Sequence, residues 1–168
     1  PIAPKNELLC DHAIVINDKK IIAVMPNEEA KSLYYAQDYL DFDTHVLMPG
    51  LINAHTHTPM NLFKGLADDL ELMTWLNDHI WPAEKALINS ESVAVGSELA
   101  IAEMLTGGTT CFNDNYFFPD VTEKAAIKTG IRAALGCVIM SVPTQWAETE
   151  GAYFDRAKEI FDQHNQHE

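Results

Sequence analysis

The chain has 168 residues, 47% hydrophobic and 9% aromatic, which is enough apolar material for one sizeable core. Lys and Arg number 11 against 25 Asp and Glu, and the formal charge of −14 repels phosphate backbones and anionic lipid surfaces, so neither nucleic acid nor membrane is an expected partner. No apolar run approaches the roughly 20 residues of a bilayer span, and the start of the chain lacks the basic-then-apolar order of a signal peptide.

Cys10, Cys111 and Cys137 are odd in number and widely spaced, suggesting neither a disulfide framework nor a cysteine zinc knuckle. They read as small buried apolar residues, and a reducing cytoplasm is the expected location. In chain order, residues 13–16 and 20–24 are β-rich runs flanking the polar turn Asn17-Asp18-Lys19, which predicts a hairpin. Residues 28–35 suit a short helix, and residues 38–43 alternate polar and apolar as a half-buried strand would. The texture changes near residue 47, so a small β module is expected over 1–46 and a second domain over 47–168.

Beyond Gly50 the apolar residues leading into His55 suit a strand buried on both faces. A polar loop follows to about Asp69, then helical spacing over 71–80, with Pro82 suited to a first turn. Asn89-Ser90-Glu91 precedes a helical run over 92–105, which Gly107-Gly108 stops. A strand over 109–112, a helix over 119–129, a strand over 131–140 and an amphipathic helix over 153–163 complete the pattern. Such alternation implies parallel βα units. Three units cannot close a barrel, which takes eight strands and about 250 residues, so either the sheet is open or the chain is incomplete. A first residue that is proline rather than methionine agrees with the second alternative.

The informative stretch is His55-Thr56-His57 at the end of the first of these strands. Residues i and i+2 of a strand project to the same side, so two imidazoles come within reach of one ion, and histidine nitrogen is a good zinc ligand at neutral pH. Two histidines capping a strand and facing solvent are the plainer alternative.

Met48-Pro49-Gly50-Leu51-Ile52-Asn53-Ala54-His55-Thr56-His57 resembles the first-strand motif of the amidohydrolase superfamily, in its cytosine-deaminase and chlorohydrolase-like branch. Within that branch the chain looks most like the deaminases of 5-methylthioadenosine and S-adenosylhomocysteine. The likeness continues through Met60-Asn61-Leu62-Phe63-Lys64-Gly65-Leu66-Ala67-Asp68-Asp69, Trp75-Leu76, Ile80-Trp81-Pro82-Ala83-Glu84 and Glu103-Met104-Leu105-Thr106-Gly107-Gly108-Thr109-Thr110, covering most of residues 46–115.

The resemblance implies an α/β fold: the N-terminal part of a TIM (β/α)8 barrel preceded by a small β-sandwich module, with residues 47–168 as its first three βα units. It implies a zinc ion, with iron or manganese as alternatives, held by His55 and His57. A third histidine, an aspartate and the proton-shuttling glutamate and histidine are then expected beyond residue 168, so the isolated chain is expected to bind metal poorly and turn over no substrate. The implied reaction is hydrolytic deamination of an adenine nucleoside, a small-molecule partner, by a homo-oligomer or a monomer. Guanine or cytosine deamination, triazine dechlorination, cyclic-amide opening, and a non-catalytic scaffold domain are the alternatives.

By the same resemblance Glu84 accepts hydrogen bonds from both ribose hydroxyls, one carboxylate serving two donors. Its other reading is a first-turn glutamate favoured by the helix dipole. Trp75 and Trp81 are either pocket walls or core. Asp68 and Asp69 read as solvated loop acids, His79 as a helix-face residue, and Arg132 as half of a structural ion pair. Asn113, Asp114 and Asn115 follow the second strand at what would be the active end of a barrel, where polar residues also serve as turn formers and helix caps. His164 and His167 read as a solvated helix end, since a tail supplies no supporting shell for a ligand pair.

Overall fold

The computed structural model describes residues 8–165. These fall into two compact units, the first ending at Leu47 and the second beginning at Met48. In the first, β1 (His12–Asn17) and β2 (Lys20–Pro26) pair antiparallel and are joined by Asp18-Lys19. Asp18 takes a left-handed φ of 53°, the conformation that short hairpin turns demand and that aspartate tolerates. Helix α1 (Asn27–Leu33) follows directly, with Glu28 and Glu29 in its first turn, where the helix dipole favours them.

The strand expected over 38–43 does not form. Tyr39, Leu40 and Phe42 are all exposed, so the two-residue alternation has no apolar surface to bury against and no neighbouring strand to pair with among the described residues. Among those residues the first unit is therefore a hairpin and a helix.

The second unit is built on a three-stranded parallel sheet in the order β3 (Leu51–Thr56), β4 (Thr109–Tyr116), β5 (Arg132–Cys137). Between β3 and β4 lie a 3-10 helix (Thr58–Phe63) and a continuous helical run that passes from α2 (Leu72–Thr74) through a π segment (Trp75–Ile80) into α3 (Trp81–Leu87). Helix α4 (Ser90–Thr106) then leads to β4. Its start is set by a capping box in which Asn89 Oδ1 accepts from Ser92 N–H at 3.0 Å while Ser92 Oγ accepts from Asn89 N–H at 2.9 Å. Helix α5 (Pro119–Thr129) crosses from β4 to β5, opened by a proline in its first turn and closed by Gly130 at φ 77°. Helix α6 (Glu150–Asn165) ends the described chain.

Two departures from the expected lengths matter. Strand β5 stops at Cys137 rather than residue 140, and β4 runs four residues further than expected, to Tyr116, so Asn113, Asp114 and Asn115 are ladder residues rather than turn formers. One core lies between sheet and helices, where Phe112 and Ile101 are fully buried beside Ala125, Ala126 and Ile131. A second gathers Tyr116 and Phe117 with Ile88, Val93, Trp146 and Tyr153. Leu51 and Ile52 on β3 stay 50% and 72% exposed, so this parallel sheet is covered over only part of its surface by the described residues. Cys10 is exposed and Cys111 and Cys137 are half-buried, which corrects the expectation of three buried thiols. No described helix is long and apolar enough to cross a membrane.

Gly96 of α4 packs against the 3-10 helix, and a Cβ there would lie 2.7 Å from the Pro59 carbonyl oxygen. Alanine is the better helix former by about 1 kcal/mol, but a backbone clash of this kind costs about 1–3 kcal/mol. Gly96→Ala is expected to lose up to about 2 kcal/mol in urea unfolding; a gain would show that the Pro59 segment gives way freely.

Candidate metal and substrate site

His55 is the penultimate residue of β3 and His57 follows the strand, both exposed at the C-terminal end of the parallel sheet. Their rings lie 4.9 Å apart, edge to face at 77°, as the two-residue strand period requires. His57 Nδ1 is 2.6 Å from the Asn115 carbonyl oxygen. A carbonyl can only accept, so Nδ1 carries a proton, and in the neutral ring Nε2 then keeps its lone pair. This is how a backbone acceptor fixes tautomer and ring direction in a metal-binding histidine. The two imidazoles suit two positions of a tetrahedral zinc site. Among the described residues no group of three or more His, Cys, Asp or Glu converges to complete one.

Beside the pair lies a buried polar network centred on Asp114, one of the three polar residues expected to follow the second strand. Asp114 is 2% exposed, and its Oδ1 accepts from Thr56 Oγ1 and from Thr58 N–H, each at 2.6 Å. From Thr58 the network continues through Ser97 Oγ of α4 at 3.2 Å to Thr122 Oγ1 of α5 at 3.1 Å. Asn113 Nδ2 donates to the Ala54 carbonyl at 3.1 Å. The residues on both sides of His57 are thus tied to β4 by side chain and backbone together. Burial raises the Asp114 pKa, opposed by the hydrogen bonds from Thr56 and Thr58. A raised folded-state value means that this group favours folding most at pH below the ordinary aspartate range, and that the contribution is lost as pH rises through the folded value.

Glu84 stands in the first turn of α3, half-buried, with Oε1 2.5 Å from the Tyr116 hydroxyl, which donates to it. Burial raises the Glu84 pKa, while the Tyr116 bond and the nearby His57 lower it. Burial, and then the glutamate, hold the Tyr116 hydroxyl protonated far above the ordinary tyrosine range. The Tyr116 ring centroid is 6.1 Å from that of His57. One tyrosine therefore lies beside His57 and bonds Glu84, although the three come from different elements. It was missed because β4 was expected to stop at residue 112; extended by two-residue steps, Phe112, Asp114 and Tyr116 fall on one face.

The remaining candidates scatter. Trp75 and His79 are half-buried in the π segment and Trp81 is 46% exposed, whereas the tryptophan in the core is Trp146. Asp68 and Asp69 are exposed on their loop. Arg132 opens β5 exposed, and the ion pairs among the described residues, such as Lys128–Glu98, do not include it. His164 belongs to the last turn of α6 and His167 lies outside the described residues.

If the Asp114 clamp holds the His57 segment, Asp114→Ala strands the buried Thr58 N–H and is expected to cost about 1–3 kcal/mol in urea unfolding. Asp114→Asn retains an acceptor oxygen and should lose less. Equal stability of all three proteins would show that the clamp contributes nothing.

Comparison with known proteins places this geometry. A 5-methylthioadenosine/S-adenosylhomocysteine deaminase of Saccharophagus degradans is 44% identical over 162 residues, covering 96% of this chain and 36% of the relative. A 5′-deoxyadenosine deaminase of Methanosarcina mazei is 46% identical over 140 residues, covering 82% of this chain and 30% of the relative. The crystal structure of an adenosine deaminase from Xanthomonas campestris with bound zinc superposes with a TM-score of 0.90 at 49% identity, over 95% of this chain and 36% of that one. The chain thus spans about a third of the length of these proteins. The amidohydrolase family model matches residues 46–166, a stretch that takes in the whole parallel sheet, both histidines, Glu84 and Tyr116, and the chain belongs to the amidohydrolase family.

Proposed function

We propose that the intact protein is a zinc-dependent deaminase of adenine nucleosides, of the 5-methylthioadenosine, S-adenosylhomocysteine or adenosine type, and that this chain supplies the first half of its metal site and its ribose anchor. The observation that carries the reading is the His57 Nδ1 bond to the Asn115 carbonyl, which leaves Nε2 beside the His55 ring for an ion. The names of the relatives support the adenine nucleoside, and the zinc in the Xanthomonas structure supports the metal. Residues 47–168 are, on this reading, the opening βα units of a TIM barrel, and the partly uncovered sheet agrees with strands still to be added.

His55 and His57 would hold the ion. When bound, such an ion supplies a nucleophilic water at neutral pH, which a histidine or carboxylate alone would not. The chain's own share of the work is placement. The Asn115 carbonyl keeps the His57 proton on Nδ1, so no tautomer change is needed when the ion arrives. Glu84, accepting from both ribose hydroxyls, would set the distance between the sugar and the histidine pair and so bring the amino-bearing carbon of the ring to the reacting water. Loss of ammonia requires a proton on the departing nitrogen, and the groups that deliver it lie beyond this chain on the family reading. A small soluble substrate and a cytoplasmic setting complete the proposal.

Ammonia release from methylthioadenosine, S-adenosylhomocysteine and adenosine, measured on the intact protein against guanine and cytosine, tests it. Adenine nucleosides should be turned over, and His55→Ala should lower the rate at least ~10³-fold, as expected for loss of a ligand of a catalytic ion. Turnover of guanine or cytosine instead would move the substrate within the family. Full activity of His55→Ala would remove the metal site.

A further inference from the structure

Three features surround the histidine pair: a hollow of about 320 Å³ lined by His57 itself with Asn53, Asn61, Glu103 and Met104, the Asp114 network, and the contact between Tyr116 and Glu84. The hollow opens along the edge of β3, which lacks a strand partner among the described residues, and Lys64 already pairs with Glu103 there. The Asp114 network runs from Thr58 through Ser97 to Thr122, each of them buried. Tyr116 differs in facing the site.

We propose that Tyr116 is the positioning residue for ribose selection: its hydroxyl occupies one oxygen of Glu84 and aims the other at the 2′ and 3′ hydroxyls of the substrate. The inference rests on the reading of Glu84 as the ribose acceptor. A glutamate in a helix first turn carries three side-chain torsions, and an unanchored carboxylate samples several rotamers. Tyr116 removes that freedom. Its own ring is immobilised, 5% exposed in the core cluster with Ile88, Val93, Phe117 and Trp146 and 4.9 Å from the Phe117 ring. The donor is therefore rigid, and the 2.5 Å bond transfers that rigidity to the carboxylate.

A carboxylate has about four lone-pair sites on two oxygens. One is spent on Tyr116, which leaves Oε2 free to take both hydroxyls of a vicinal diol. The 6.1 Å separation of the Tyr116 and His57 rings fixes the same anchor relative to the histidine pair. Glu84 is thereby registered against the reacting end of the site by a residue that touches neither the ion nor the substrate base. Selection works by contrast: a substrate lacking the diol leaves a half-buried carboxylate unpaired on its substrate side.

The test uses the intact zinc-loaded protein with adenosine and 2′,3′-dideoxyadenosine as paired substrates. Tyr116→Phe keeps the ring and its packing while deleting the hydroxyl. It is expected to lower kcat/KM for adenosine about 10-fold, mainly through KM, and to leave the dideoxy analogue within about twofold. Glu84→Gln should show the same selectivity more strongly, and the double variant should be no worse than Glu84→Gln alone. Binding of inosine and 2′,3′-dideoxyinosine to metal-free protein, followed by calorimetry, should repeat the pattern without turnover. An equal loss on both substrates, or none on either, overturns the role of Tyr116 while Glu84→Gln still discriminates. If Glu84→Gln itself fails to discriminate, the ribose reading falls and the proposal with it.

Discussion

The His57 ring is held in one direction by a neighbouring strand, and on the proposed reading that aims it before an ion arrives. The Asn115 carbonyl belongs to β4, and it reaches His57 because β4 runs beside β3 with Thr56 opposite Asp114. A one-residue slip would turn the Asn115 carbonyl toward the opposite edge of β4 and move the Asp114 side chain to the other face of the sheet. The parallel pairing is in turn held by polar side chains of β4: Asp114 accepts from the Thr56 hydroxyl and the Thr58 amide, and Asn113 Nδ2 donates to the Ala54 carbonyl. Each is a polar side chain inside a strand, a position that costs free energy unless satisfied. Each is satisfied by the segment that carries the histidines.

The same strand sets the substrate side. Its buried face presents Phe112 to the helices, Asp114 to the turn after His57, and Tyr116 to Glu84. Packing, histidine placement and the anchoring of Glu84 are therefore three rungs of one element. The helical run from α2 to α3 makes the last contact possible. Its π segment, Trp75–Ile80, adds a residue to the turn, and π turns occur disproportionately at functional sites. Gln145 donates to the Lys85 carbonyl at 3.0 Å, tying the end of that run to the loop after β5.

Much of this was legible from residues alone, and the failures share a cause. The hairpin, the helices over 90–106 and 119–129, and the His-x-His at a strand end follow from turn residues, caps and two-residue spacing, which are local signals. Asn113-Asp114-Asn115 misled because its composition is that of a turn, whereas its hydrogen-bond partners are 56 to 59 residues away. Residues 38–43 misled in the opposite sense, carrying a strand's alternation without a sheet to join. Tyr116 was invisible for the first reason: its value comes from Glu84, 32 residues earlier, and no local pattern links them.

The central claim is that His55 and His57 present their Nε2 atoms to one ion, with His57 held through Nδ1. Crystals of the intact protein grown with zinc, with anomalous diffraction recorded on both sides of the zinc absorption edge, test it most directly. The account predicts one strong zinc peak per chain about 2.0–2.1 Å from both Nε2 atoms, with the Asn115 carbonyl still on His57 Nδ1. A peak on Nδ1 of His57, or zinc bound only elsewhere, would contradict it.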